Sequence, residues 1–137
     1  MISASGIAIE APEALPGKQH RLSADSVRLL AAGKPAQARP ILERLARLEA
    51  TEARIPYGLA VADFLEAKDE EARKHLAQAL ELAPDYAEAH LLAGYLEQLG
   101  GRAAEALAHY QAFLKTEAAG PRAEDVRTLA QRLGAAP

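Results

Sequence analysis

A spacing of 34 residues governs this chain. Ala38, Ala72 and Ala106 stand 34 apart, and each follows a polar residue, Gln37, Glu71 or Glu105. Four positions after each alanine comes a large apolar side chain, Leu42, Leu76 or Tyr110. Three further on are Leu45, Ala79 and Phe113, followed at once by Ala46, Leu80 and Leu114; five positions upstream of the alanines stand Gly33, Ala67 and Gly101. Six columns held in phase over three units describe an array. A unit of this length is one supersecondary element that hides its apolar stripe only by stacking on its neighbours.

The unit is helical. The chain carries 33 Ala and 20 Leu against five Ile, three Val and three Thr, and β-branched side chains are the ones that lose rotamer freedom in a helix. Apolar periodicity and turn residues predict helices over about 22–32, 35–48, 52–66, 69–82, 86–99 and 102–117. A seventh covers 121–134, with Ala123, Val126, Ala130 and Leu133 inward and Arg122, Glu124, Arg127, Gln131 and Arg132 outward, the solvating cap that an array needs. Pro35 and Pro121 open helices, where a missing N–H costs least. Pro40 falls inside a helix and removes one backbone bond. Residues 1–19 are different: Pro12, Pro16 and Gly17 break any helix there, leaving an extended or mobile N-terminal arm. Its alternation Ile7, Ala8, Ile9 pairs as a strand only where a partner edge is supplied, and its isoleucines call for cover on a repeat surface of the same or a neighbouring molecule.

These columns resemble the tetratricopeptide repeat (TPR), a 34-residue helix–turn–helix with a small residue where its helices touch and a proline near its end, here Pro84. The resemblance spans residues 19–120 and is best over 69–114. It implies an all-α fold, a right-handed superhelical stack of three TPR-like helix–turn–helix units with a C-terminal capping helix. The units fall at about 20–52, 53–86 and 87–120 of a domain over 20–134. It also implies a concave groove, lined by the first helix of each unit, that receives an extended or helical segment of another protein. In size and repeat number the chain is similar to the three-repeat chaperones of bacterial secretion translocators. The Lys/Asn clamp with which some members hold a C-terminal carboxylate is missing: the corresponding positions carry Val27, Ala60 and Gly94, and the chain contains no Asn.

The groove residues depend on register. Projected at about 100° per residue, a strict 34-residue register puts Glu97 on the core side of its helix, where an unpaired carboxylate is costly. Sliding the first helices of units two and three by one residue removes that conflict, with the extra residue absorbed at Gly100–Gly101. The expected groove is then Ser23, Val27 and Leu30 from unit one, Ala60, Asp63 and Phe64 from unit two, and His90, Gly94, Glu97 and Gln98 from unit three. A segment threading it would carry aliphatic residues at one end and Lys or Arg at the other, facing Asp63 and Glu97. The strict register places Tyr57, Val61, Leu91 and Tyr95 there instead.

Other chemistry finds little support. A net charge of −3 and a pI near 5.8 give no field for a phosphate backbone, and 4% aromatic residues without Trp make no base-stacking platform. Nucleic acid is not an expected partner. The chain has no Cys and no Ser in a strained elbow, so no nucleophile–base–orienter set can be named; neither an enzyme nor a cofactor is expected. No His–Glu spacing suits a metal. No segment approaches the ~20 apolar residues of a membrane span, and no basic leader precedes an apolar run at the start, which makes the cytoplasm the default expectation. Two readings remain: an adaptor or chaperone-like module holding a peptide-like segment of another protein, and a scaffold subunit that forms homo-oligomers through its arm or repeat ends.

The frame makes a prediction of its own. Ala72→Leu overfills a close helix crossing and should cost about 1–3 kcal/mol, with a less cooperative melt because each unit leans on the next. An unchanged melting curve would show that Ala72 sits at no crossing.

Overall fold

The computed structural model describes residues 2–4 and 7–135; Met1, Ser5 and Gly6 of the expected arm lie outside the described residues. Two short strands, β1 (Ile2–Ala4) and β2 (Ile7–Ile9), precede seven helices: α1 (His20–Ala31), α2 (Pro35–Leu48), α3 (Arg54–Leu65), α4 (Asp69–Leu82), α5 (Ala87–Leu99), α6 (Ala103–Thr116) and α7 (Pro121–Ala135). A single 3-10 turn at Gly17–Gln19 leads into α1. Helices pack in the pairs α1–α2, α3–α4 and α5–α6, and each pair packs on the next through α2–α3, α4–α5 and α6–α7. That is a stack of three helical hairpins closed by α7. Helix α2 runs on through Pro40 to Leu48, with Pro40 exposed. Among the described residues no helix is long and apolar enough to cross a membrane.

The repeat columns form the core. Ala38, Ala72 and Ala106 are fully buried, as are Tyr110 and Phe113, and Leu42, Leu76 and Leu45 are nearly so. Gly94 of α5 faces them closely: a Cβ built there would lie 2.6 Å from Tyr110 Cε1, so only hydrogen fits. Ala60 and Ser26, its equivalents 34 and 68 residues earlier in α3 and α1, are buried too.

The turn within each hairpin repeats to the residue. Gly33, Ala67 and Gly101 all adopt positive φ, at 71°, 58° and 75°. The N–H after each reaches back across the turn, Lys34 to Leu29 O at 2.9 Å, Lys68 to Asp63 O at 2.8 Å, and Arg102 to Glu97 O at 2.9 Å. These are three copies of one left-handed helix stop. The turn at Gly100–Gly101 therefore absorbs no extra residue, and the one-residue slip expected for α3 and α5 does not occur.

The arm's partner edge is supplied from within the chain. β1 pairs antiparallel with β2, Ile2 opposite Ile9 and Ala4 opposite Ile7. Ile7 and Ile9 are 0% and 1% exposed and belong to the main core.

Ala67 is the one non-glycine with positive φ among the described residues, and it is exposed. A left-handed non-glycine costs about 1–2 kcal/mol, while glycine gives back about 0.4–1 kcal/mol through the unfolded chain. Ala67→Gly should therefore stabilise the fold by about 0.5–1 kcal/mol in urea denaturation; a loss of stability would contradict the turn geometry.

Candidate functional site

Without the slip, three columns of first-helix residues share one face: Ser23, Tyr57 and Leu91; Val27, Val61 and Tyr95; Leu30, Phe64 and Gln98. Ser23, Val27, Leu30, Phe64 and Gln98 of the expected groove lie on it. Ala60, Asp63, His90, Gly94 and Glu97 do not, and Tyr57, Val61, Leu91 and Tyr95 take the places assigned to them. The face is apolar and aromatic. Phe64 and Tyr95 meet edge to face with centroids 5.9 Å apart, and Tyr57 lies 5.1 Å from Tyr86 at the start of α5.

The arm crosses this face from the last helix to the first. β2 packs on α7 and α5. The Tyr57 hydroxyl then donates to the Glu10 carbonyl at 2.6 Å, and Pro12 lies against Gly58 of α3. Leu15 donates its N–H to Ser23 Oγ of α1 at 2.7 Å and packs with Leu45 and Ile55. Burial of its ring pushes the Tyr57 phenol well above its ordinary range, so it remains a donor at any physiological pH. A cleft of about 300 Å³ lined by Glu10, Pro12, Glu13, Arg54, Tyr86 and Glu88 remains between arm and helices. The arm is held by separate anchors rather than packed along its whole length.

Asp63 and Glu97 are buried inside the stack, 1% and 6% exposed. Each is neutralised by an arginine of the preceding unit. Arg39 Nη2 of α2 lies 2.9 Å from Asp63 Oδ1 and also pairs with Glu66, while His75 Nδ1 of α4 lies 2.5 Å from Asp63 Oδ2. Arg73 Nε of α4 donates to Glu97 Oε1 at 2.7 Å, and Arg102 Nε to Glu97 Oε2 at 2.6 Å. Burial works to raise the Glu97 carboxyl, but the hydrogen bonds from Arg102 and Arg73 outweigh it and hold the group below the ordinary carboxylate range. The expectation that Glu97 would be unpaired on the core side was the flaw behind the slipped register. Arg39 and Arg73 are themselves 34 apart, as are Asp63 and Glu97, so the pairing was visible as a joint column. With both carboxylates consumed internally, the expected acidic end of the groove is absent.

The histidines also serve structure. His90 Nε2 lies 2.8 Å from the Pro84 carbonyl, which can only accept, so His90 Nδ1 accepts from His109 Nδ1–H at 3.0 Å. Burial, then the neighbouring His90 ring, lowers the His109 pKa. Gln98 accepts the Tyr110 hydroxyl at 2.7 Å. Among the described residues no group of three or more His, Asp or Glu is placed to hold a metal ion. Arg122, expected on the outside of the cap, turns inward instead: it pairs with Glu117 and Glu88 at 2.5 and 2.6 Å, reaches Glu10 of the arm at 3.5 Å, and lies 5.2 Å from the Phe113 ring centroid.

Comparison with known proteins agrees with this geometry. A sequence profile of the tetratricopeptide repeat matches residues 29–94. The second TPR domain of human RPAP3, solved with an HSP70 peptide, superposes with a TM-score of 0.71 at 22% identity, over 84% of this chain and 93% of that one. The Yersinia enterocolitica type III secretion translocator chaperone SycD superposes with a TM-score of 0.76 at 15% identity, over 83% of this chain and 81% of its own. The same chaperone in complex with a peptide of the translocator YopD gives 0.74 at 15% identity, over 83% and 90%. No curated protein sequence matches the chain significantly.

The Glu97 carboxylate sets an acid limit on stability. Glu97→Gln should cost about 1.5–3 kcal/mol at pH 7, the worth of hydrogen bonds to charged groups. Because the folded pKa of Glu97 is depressed, its contribution is present above the unfolded value and lost as pH falls through the folded one. The gap between wild type and Glu97→Gln in denaturant melts should narrow at acid pH. A gap that stays constant to pH 3 would place the carboxylate outside this cluster.

Proposed function

We propose that the chain, whose residues 29–94 match the tetratricopeptide repeat and whose fold is that of such repeats, is a protein-interaction module, an adaptor or chaperone without catalytic chemistry of its own. It holds an extended segment of a partner protein across the first-helix faces of its three units. One observation carries this reading: an extended stretch of the chain itself, residues 7–15, lies across those faces, with Ile7, Ile9, Pro12 and Leu15 buried and Glu10 and Glu13 exposed. A face that accepts one extended aliphatic segment has the shape and the apolar surface to accept another.

The character of the face supports an apolar partner segment over an acidic tail. Without the slip the middle column of the face is Val27, Val61 and Tyr95, with no Lys among them and no Asn anywhere in the chain, so nothing there supplies a carboxylate clamp. Neighbours of this fold hold peptides, SycD one from the translocator YopD and the RPAP3 domains HSP70 and HSP90 peptides.

A photocrosslinking residue at Phe64, half-buried beside Tyr95, should capture a partner polypeptide in the native extract, and the same residue at exposed Glu43 of α2 should not. Equal capture at both positions, or growth of the particle with concentration in light scattering and no capture at Phe64, would sink the adaptor reading; the second result points to a self-associating scaffold.

A further inference from the structure

We propose that the N-terminal arm is a tethered competitor: it fills the groove in the resting molecule, and a partner segment binds by displacing it. The inference rests on the reading of the first-helix face as a peptide groove. It commits to a ligand whose chemistry copies the arm, an extended segment with two aliphatic residues at alternate positions, a carboxylate next, and a proline two positions after that, as in Ile7, Ile9, Glu10 and Pro12.

Four observations combine. The arm's contacts follow the path a ligand would follow, from α7 and α5 through Tyr57 of α3 to Ser23 of α1. The polar contacts to the arm backbone that cross this path, Tyr57 to the Glu10 carbonyl and Leu15 N–H to Ser23, read main chain and not side-chain identity, so any extended segment can inherit them. The aliphatic anchors alternate, as a strand with one covered face requires: Ile7 and Ile9 are buried and Ala8 only partly so. The fit is incomplete, with the cleft of about 300 Å³ beside Pro12 left open between anchors. The ion-pair clusters at Asp63 and Glu97, which tie each unit to the next, involve no arm residue. A tether of this length holds the arm at an effective concentration of about a millimolar, which screens out weak ligands and yields to a better-matched one.

The experiment uses the full chain and a fluorescein-labelled peptide of residues 2–15 as the probe, read by anisotropy. Two arm variants loosen the competitor without touching the groove: Ile7→Ser with Ile9→Ser, and Glu10→Lys, which turns the contact with Arg122 into repulsion. Circular dichroism and a cooperative melt identify the variants that remain folded, and Glu10→Lys, exposed at the surface, keeps the test alive if the double variant does not fold. The expected result is that the loosened chains bind the probe at least tenfold more tightly than wild type. Equal binding by wild type and variants would overturn the competitor and leave the groove reading standing. No binding by any folded variant would overturn both. Occlusion that grows with protein concentration would show that the arm acts between copies and would overturn the tethered form.

Discussion

Everything in this molecule depends on how closely the two helices of each unit can approach. Ser26, Ala60 and Gly94 on the first helices and Ala38, Ala72 and Ala106 on the second are all buried, and at Gly94 not even a methyl group fits beneath Tyr110. Close approach brings the apolar stripes of both helices into contact within the hairpin. It also leaves the remaining stripe of each hairpin to be covered by the next unit, which is why stability in such an array is shared between neighbours. The third unit has no fourth hairpin to lean on. Helix α7 replaces it, burying Ala123 and Val126 fully and Leu129 to 9% exposure, while its outer residues meet solvent.

The stack and its turns were legible in the sequence because their cause is local. A small residue at a crossing, a large one a turn later and a left-handed stop five residues before the crossing each act within one unit, and each recurs in the column where the physics needs it. The face of the groove was only half legible, because its register was judged from single helices. Asp63 and Glu97 looked misplaced on the core side when α3 and α5 were projected alone. Their neutralising arginines, Arg39 and Arg73, sit on the second helix of the preceding unit, a relation between units that no single-helix projection contains. Buried carboxylates are costly only when unpaired, and the 34-residue spacing that carries the alanines also carries acid and base together. Residues of unit one needed no such partner, since Leu29 occupies the equivalent place, and there Ser23, Val27 and Leu30 fall on the face that the structure shows.

The arm was legible as an extended segment with two isoleucines in need of cover, but its path was not, because nothing local to residues 7–15 encodes the face of α3 or α5. The path follows from the geometry of the stack. First helices side by side make a shallow apolar trough, and the trough of this chain contains Tyr57, Val61, Leu91 and Tyr95, a surface too apolar to leave in water. The arm meets this trough at Tyr57 and reaches Ser23 beyond it, with few anchors. Between and beyond them Glu10, Glu13, Pro16, Gly17 and Lys18 are exposed, so the hold on the arm is concentrated at its buried anchors, Ile7, Ile9, Pro12 and Leu15. Arg122 couples the two ends of the arrangement. It binds Glu88 of α5 and Glu117 beyond α6 tightly and Glu10 of the arm more loosely, at 3.5 Å with Glu10 half-exposed. The strong pairs fix the cap on the stack whether or not the arm is present, and the weak one adds hold to the arm only while it lies in place. A fold built in this order keeps its rigidity in the repeats and puts its adjustable contact where a binding partner would arrive.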